Sequence, residues 1–224
     1  MKISIVIPVY NEENYIKSCL ESLVHQEVRA DEILIVDNNC TDRSMEIART
    51  YPVRIVKEAK QGMIFARNRG FNEATGDIMI RIDSDTIMPS YWVKRTKEIF
   101  ETQKIDGMSG PTYYNDLPLQ TPYYSILYLA YLKKKLGHHC FIGSNMALTK
   151  AIWNKVKDDV CLDDKLVHED IDLSYHIGHI GGVIHFEPSM IMPTSGRRIK
   201  HNPTSFFIEY PRRLKSTLNQ HKQS

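Results

Sequence analysis

Ile3-Ser4-Ile5-Val6-Ile7-Pro8-Val9-Tyr10-Asn11-Glu12 decides the fold class of this chain. Its apolar run from Ile3 to Val9 is what a strand needs when both of its faces are buried in a parallel sheet. Working outward, Ile16, Cys19, Leu20, Leu23 and Val24 repeat at helical spacing, with Asn11 expected as the cap of that helix. Residues 32–36 read as a second strand ending at Asp37, and Thr41 or Asp42 opens a helix that turns Met45, Ile47 and Ala48 inward. Residues 53–56 form a third strand, 62–74 a helix stopped by Thr75-Gly76, and 77–82 a fourth strand. Strands alternating with crossover helices predict an α/β fold with an open, mostly parallel sheet. Ligands of such sheets settle at the carboxyl ends of the strands, where Tyr10, Asn11, Asp37, Asn38, Asp83 and Asp85 all fall.

The fourth strand carries the chemistry. Ile78-Met79-Ile80-Arg81-Ile82 runs into Asp83-Ser84-Asp85, and strand alternation turns both acids to one side. Converging carboxylates repel unless a proton or a cation sits between them. Their oxygens suit Mg²⁺ or Mn²⁺, ions that bridge phosphates. A triplet of this kind alone is weak; its place after a strand raises it. Pro8, lacking a donor N–H, suits the point where the first strand leaves its ladder, and the free N–H groups of the helix beyond could face a phosphate.

Past Pro89 the residues Trp92, Val93, Thr96, Ile99 and Phe100 give another amphipathic helix, after which the alternation fades. Residues 107–112, 141–149 and 183–186 read as strands, and 169–180 as a helix. Between them, 123–136 is helical, with Tyr124, Leu127, Tyr128 and Tyr131 on one stripe and Lys133, Lys134 and Lys135 at its end. A core helix whose lysines suit its dipole is the expectation; docking on a membrane surface is the alternative.

With 224 residues, 42% hydrophobic and 25% charged, the chain is globular, and its net charge of +2 names no partner and no nucleic acid. Arg197, Arg198, Lys200, Arg212, Arg213, Lys215 and Lys222 crowd the C-terminal end as a solvated tail or as a contact for anionic lipid or phosphate. Cys19, Cys40, Cys140 and Cys161 show no paired spacing, which fits a reducing cytoplasm, and neither a signal peptide nor a transmembrane helix is expected. Nine histidines show no ligand spacing; His168, His176, His179 and His185 are expected to be solvated or packed.

Six segments in order resemble the family 2 glycosyltransferases: residues 5–12, Ile33-Leu34-Ile35-Val36-Asp37-Asn38-Asn39-Cys40-Thr41-Asp42, Gly62-Met63-Ile64-Phe65-Ala66-Arg67-Asn68-Arg69-Gly70, Asp83-Ser84-Asp85, Gly143-Ser144-Asn145-Met146-Ala147 and His168-Glu169-Asp170-Ile171-Asp172-Leu173. The resemblance implies a GT-A fold over residues 1–196, with a nucleotide-sugar half (1–112), an acceptor half (113–196) and a basic extension at 197–224. It implies inverting transfer from a nucleotide-diphosphate sugar to a hydroxyl acceptor with Mg²⁺ or Mn²⁺. Asp85 would ligate the ion, with Asp83 near it and nearer the ribose. Pro8, Tyr10, Glu12 and Ser84 would line the donor, and Asp37 and Asn38 would read the base, UDP being the first expectation. Many members carry two acids where this chain has Asn38-Asn39, which leaves the base open. Arg67 would reach the donor's nucleotide or diphosphate. Ser144 and Asn145 would border the acceptor, and Asp170, or else Glu169, would be the general base. Arg197 and Arg198 stand where relatives often have a histidine, and are expected on the diphosphate, not on a metal.

Two rivals remain. A sugar-phosphate nucleotidyltransferase would want a Gly-rich basic loop after the first strand, which Tyr10-Asn11-Glu12-Glu13 does not supply. A non-catalytic nucleotide-sugar-binding protein would have little use for Asp83, Asp85, Glu169 and Asp170. A cytoplasmic place is expected, with peripheral contact at the inner face of the membrane as an option; oligomeric state stays open.

Overall fold

β1 (Ile3–Val9) is buried along its whole length and sits between β2 (Glu32–Asp37) and β4 (Ile78–Arg81), parallel to both. The computed structural model describes residues 1–118 and 120–221, apart from the side chains of Arg198, Ser205 and Phe206. Lys222 and the Arg198 side chain therefore lie outside it. Val6 pairs with Leu34 on one side and Arg81 on the other, and β3 (Arg54–Lys57) adds outside β2. The helices between these strands are α1 (Ile16–Val24), α2 (Ser44–Ala48) and α3 (Met63–Glu73).

Beyond β4 the direction changes. β7 (Met146–Thr149) pairs antiparallel with both β4 and β5 (Gly107–Ser109), and β8 (Ile184–Phe186) closes the edge, giving seven strands in the order β3-β2-β1-β4-β7-β5-β8. β6 (Thr112–Tyr114) and β9 (Met192–Thr194) form a separate parallel pair. Alternation along β1 splits the core. Ile3, Ile5, Ile7 and Val9 face α1, α2 and α4 (Trp92–Thr102), while Val6 faces α3, α6 (Lys150–Val156) and α7 (Glu169–His179).

Three expectations change. Asn11 does not cap α1, whose N-terminal neighbour is Tyr15; it sits at φ 53° and its Oδ1 accepts from Thr41 N at 2.8 Å, tying two loops together. The strand expected over 141–149 shrinks to β7, because Asn145 N donates to Ile142 O and the chain turns tightly there. α5 (Tyr123–Leu136) buries Leu129 and Leu132 and leaves Tyr124, Leu127, Tyr128 and Tyr131 exposed, so its aromatic stripe faces away from the core. Periodicity found the stripe but not its direction, since tyrosine suits either environment. The segment after Gly196 is helical: α8 (Arg197–His201), a π-helical turn (Ser205–Glu209) and α9 (Tyr210–Gln220). Among the described residues no helix is long and apolar enough to cross a membrane.

Candidate active site

The carboxyl ends of β1, β2 and β4 open at one edge of the sheet, and the β4 end sets the electrostatics. Arg81, last residue of β4, is almost fully buried, which an arginine tolerates only when its charge is met. Its Nη2 lies 2.8 Å from Asp83 Oδ1, and its Nη1 lies 3.4 Å from Glu169 Oε1. One guanidinium therefore joins Asp83 at the strand end to Glu169 at the start of α7. Gly143 leaves the room for it: a Cβ there would stand 1.8 Å from Arg81 Nη1. Arg81 was not singled out in the sequence; the signal available was a cation inside an apolar strand run.

Glu169 is also held by Arg67, whose Nη1 donates to the Glu169 carboxylate and, at 2.6 Å, to its main-chain oxygen. Arg67 is wholly buried and its remaining N–H groups meet Asn68 Oδ1. The resemblance puts it on the donor's nucleotide or diphosphate, but its guanidinium is taken up by Glu169 and Asn68. Burial would raise the Glu169 carboxyl, yet Arg67 and then Arg81 draw it below the usual range. Asp170 goes the other way. Burial and the neighbouring Glu169 charge raise it, against which Gly143 N donates to Oδ2 at 3.0 Å. Two adjacent carboxyls are thus split, one held anionic and the other poised toward neutrality.

Asp85 is the second raised acid, pushed up to about 7 by burial and by Asp83, with Arg197 pulling down. Arg197 Nε lies 3.0 Å from Asp85 Oδ2, both of its terminal nitrogens reach Glu12, and its guanidinium lies over the Tyr15 ring. A cavity of about 210 Å³ beside these groups is lined by Tyr15, Cys19, Asp85, Asn115 and Ser195 among others. The site's donor set fits a divalent ion. Asp83 and Asp85 offer only oxygen ligands, and Asp83 Oδ1 is buried without a hydrogen-bond partner, Arg81 meeting it as a charge alone.

Other expected residues divide. Tyr10 is half exposed at the end of β1, Ser84 is buried between the two acids, and Pro8 pairs with Val36 beyond the end of the β1–β4 ladder. Asp37 accepts from Cys40 N at 2.9 Å. Asn38 does not offer its amide to a base. Its Nδ2 donates to the oxygens of Glu58 and Lys60, and its Oδ1 accepts from Gly62 N, so it staples the loop before α3. Asn145 is fully buried, and its Nδ2 donates to Pro111 O and Met190 O while its Oδ1 is buried without a hydrogen-bond partner. Ser144 beside it is buried too.

A family model described as glycosyl transferase family 2 matches residues 4–156. Glycosyltransferase YibD of Escherichia coli (strain K12) is 40% identical over 89 residues, 38% of this chain and 26% of that protein. Among solved structures, the mannosyltransferase PcManGT from Pyrobaculum calidifontis, in complex with GDP-Man and Mn²⁺, aligns at TM-score 0.80 and 18% identity over 100% of this chain and 64% of that one. TarS 1-349 of S. aureus in complex with UDP-GlcNAc aligns at TM-score 0.65 and 18% identity, over 86% and 57% respectively. Segments aligned with curated relatives such as YibD and EpsJ of Bacillus subtilis span about a quarter to a third of those proteins' length. The architecture is the GT-A fold. With two thirds of its length under one family model, the chain belongs to glycosyl transferase family 2.

Proposed function

We propose that the chain transfers a sugar from a nucleotide-diphosphate donor to a hydroxyl acceptor with inversion. The observation carrying this reading is Arg81, which draws the Asp83/Asp85 pair and the Glu169/Asp170 pair into one site. Leaving-group acids and an acceptor-side base then face a single reacting carbon.

On this reading Asp83 and Asp85 would hold Mg²⁺ or Mn²⁺, which supplies positive charge to the departing diphosphate. Arg197 turns its guanidinium from Asp85 and Glu12 to the same phosphates, and a planar fork suits two oxygens at once. Asp170 takes the proton of the acceptor hydroxyl at its Oδ atoms, its raised carboxyl being a better base near neutral pH than an ordinary aspartate. Glu169, fixed by Arg67 and Arg81, orients α7 and keeps its charge beside Asp170. Attack from the Asp170 side, opposite the leaving diphosphate, inverts the anomeric carbon. PcManGT binds GDP-Man and TarS binds UDP-GlcNAc. With the Asn38 amide occupied, base choice here falls to Asp37 and to backbone groups, and a UDP-sugar stays the first to try.

The outward tyrosines of α5 and the adjoining Lys133, Lys134 and Lys135 make the face by which the chain would meet an anionic membrane carrying a lipid-linked acceptor. Co-sedimentation with anionic but not neutral vesicles tests that part alone. For the transfer itself, the chain is incubated with nucleotide sugars and Mn²⁺. Release of nucleoside diphosphate, lost in Asp85→Ala, is the expected result. Release of pyrophosphate would make it a nucleotidyltransferase, and no turnover of any donor would leave only a binding protein.

A further inference from the structure

Asp172 sits two residues beyond Asp170, on the buried side of α7, and takes no part in the transfer chemistry above. Its Oδ1 is met by two imidazoles, with His221 Nε2 at 3.0 Å and His176 Nε2 at 3.6 Å. The three ligating atoms all lie within 4.8 Å of one another. His176 comes from the next turn of the same helix. His221, 49 positions away in sequence, arrives where α9 ends. No local spacing signals it, because only the packing of α9 on α7 brings the third group in.

We propose that Asp172, His176 and His221 bind a divalent transition-metal ion, Zn²⁺ before others, which clips α9 to α7. Two imidazole nitrogens and one carboxylate oxygen are a ligand set suited to zinc and unlike the all-oxygen pair at Asp83 and Asp85. The spacing agrees. Zinc bonds of about 2.0–2.1 Å place neighbouring ligands of a tetrahedron roughly 3.3 Å apart, and the two edges to Asp172 Oδ1, 3.0 and 3.6 Å, lie either side of that.

The ligands are also held from behind, as metal ligands are. Cys161 N donates to Asp172 Oδ2 at 2.8 Å, leaving Oδ1 for the ion. The Tyr175 ring stacks on His221 at 3.7 Å and fixes its plane. Asp172 is buried and the two histidines partly so, and His221 also lines a groove with Tyr175 and Leu218. The same helices meet at His168, whose N donates to Thr217 Oγ1 and whose ring stacks on Tyr210. An ion here would therefore fasten α9 along the helix whose first residues are Glu169 and Asp170. The competing arrangement is a metal-free hydrogen-bonded cluster, with both rings donating to one carboxylate oxygen.

The test uses the full chain without a histidine tag, in an Asp83→Ala/Asp85→Ala background that removes the oxygen site. Titration with Co²⁺ should give one equivalent with the visible absorption of a four-coordinate ion, displaced by Zn²⁺. His176→Ala and His221→Ala should each weaken binding by ~10-fold or more, at least the loss seen when a ligand's supporting contact is removed. Zn²⁺ should raise the melting temperature of this background but not that of its His221→Ala derivative. No cobalt absorption and no zinc-dependent stabilisation would overturn the proposal without reference to any histidine variant. Undiminished binding in both histidine variants would overturn it equally.

Discussion

Arg197 Nε stands 3.0 Å from Asp85 Oδ2 while its terminal nitrogens hold Glu12, 185 positions away in the chain. The guanidinium thus sits between Asp85 and Glu12, two acids of the proposed donor site. It also stays fully protonated, its partners driving it further above its ordinary value. On the proposed mechanism, Arg197→Ala loses a charged contact to the leaving phosphates. A drop in kcat/KM of about 10²–10³ is expected, the scale seen on deleting one such donor. Arg197→Lys should restore little, because an ammonium cannot span two oxygens. Steady-state kinetics of both variants check this, and a lysine variant with near-full activity would remove Arg197 from the diphosphate.

Asp85 carries a stability signature in pH. Its carboxyl is pushed from 3.8 up to about 7 on folding, so between those pH values the metal-free folded chain favours a proton there that the unfolded chain releases. A raised acid contributes stability below its unfolded value and loses it as pH climbs through the folded one. Asp85→Asn removes that dependence. The difference in unfolding free energy, wild type minus variant, should fall between about pH 4 and 7 and level off above. Urea unfolding at a series of pH values measures it, and a flat difference would mean that Asp85 is not raised.

Much of this site was legible before any coordinates. β1 through β4 and their crossover helices follow from apolar runs and 3.6-residue repeats, which are local signals. Asp83 and Asp85 were legible for the same reason, as a pair marked by the strand that ends there. What the sequence hid was partnership across distance. Arg67 reads as a ligand-facing arginine until Glu169, 102 positions on, is packed against it. Asn38 and Asn145 read as site amides until the loops they staple are in place. Arg81 went unnoticed because one cation in an apolar strand is ambiguous without the acids that meet it. Beyond β4 the antiparallel β7 interrupts the repeating pattern, and there strand bounds and the facing of α5 were least readable.

Gly143 and Arg81 should fail together. A Cβ at Gly143 would meet Arg81 Nη1 at 1.8 Å, and that guanidinium has no free space because Asp83 and Glu169 hold it. Gly143→Ala should therefore destabilise the chain by about 1–3 kcal/mol, as overpacking of a close-fitting interior does. Arg81→Met leaves Glu169 short of a cation and should cost about 3–5 kcal/mol, the penalty for breaking a buried ion pair from one side. The two losses should be strongly non-additive, since once Arg81 is gone the added methyl no longer meets the guanidinium. Chemical denaturation of the two single variants and the double variant tests the coupling.

Asp170 and Glu169 are separable by pH. On the proposed mechanism Asp170 must be ionised to accept the acceptor's proton, and burial with the Glu169 charge raises its carboxyl above the ordinary range. The acid limb of kcat against pH should accordingly lie above that of a free aspartate. Glu169→Gln takes away the negative neighbour, so the limb should move to lower pH while transfer persists at reduced rate. Asp170→Asn should lower kcat by roughly 10²-fold or more and abolish the limb, with donor affinity retained. The opposite pattern would make Glu169 the base: transfer lost in Glu169→Gln and kept in Asp170→Asn. That result runs against the structure, in which Arg67 and Arg81 draw the Glu169 carboxyl below its usual range while burial and the Glu169 charge raise that of Asp170.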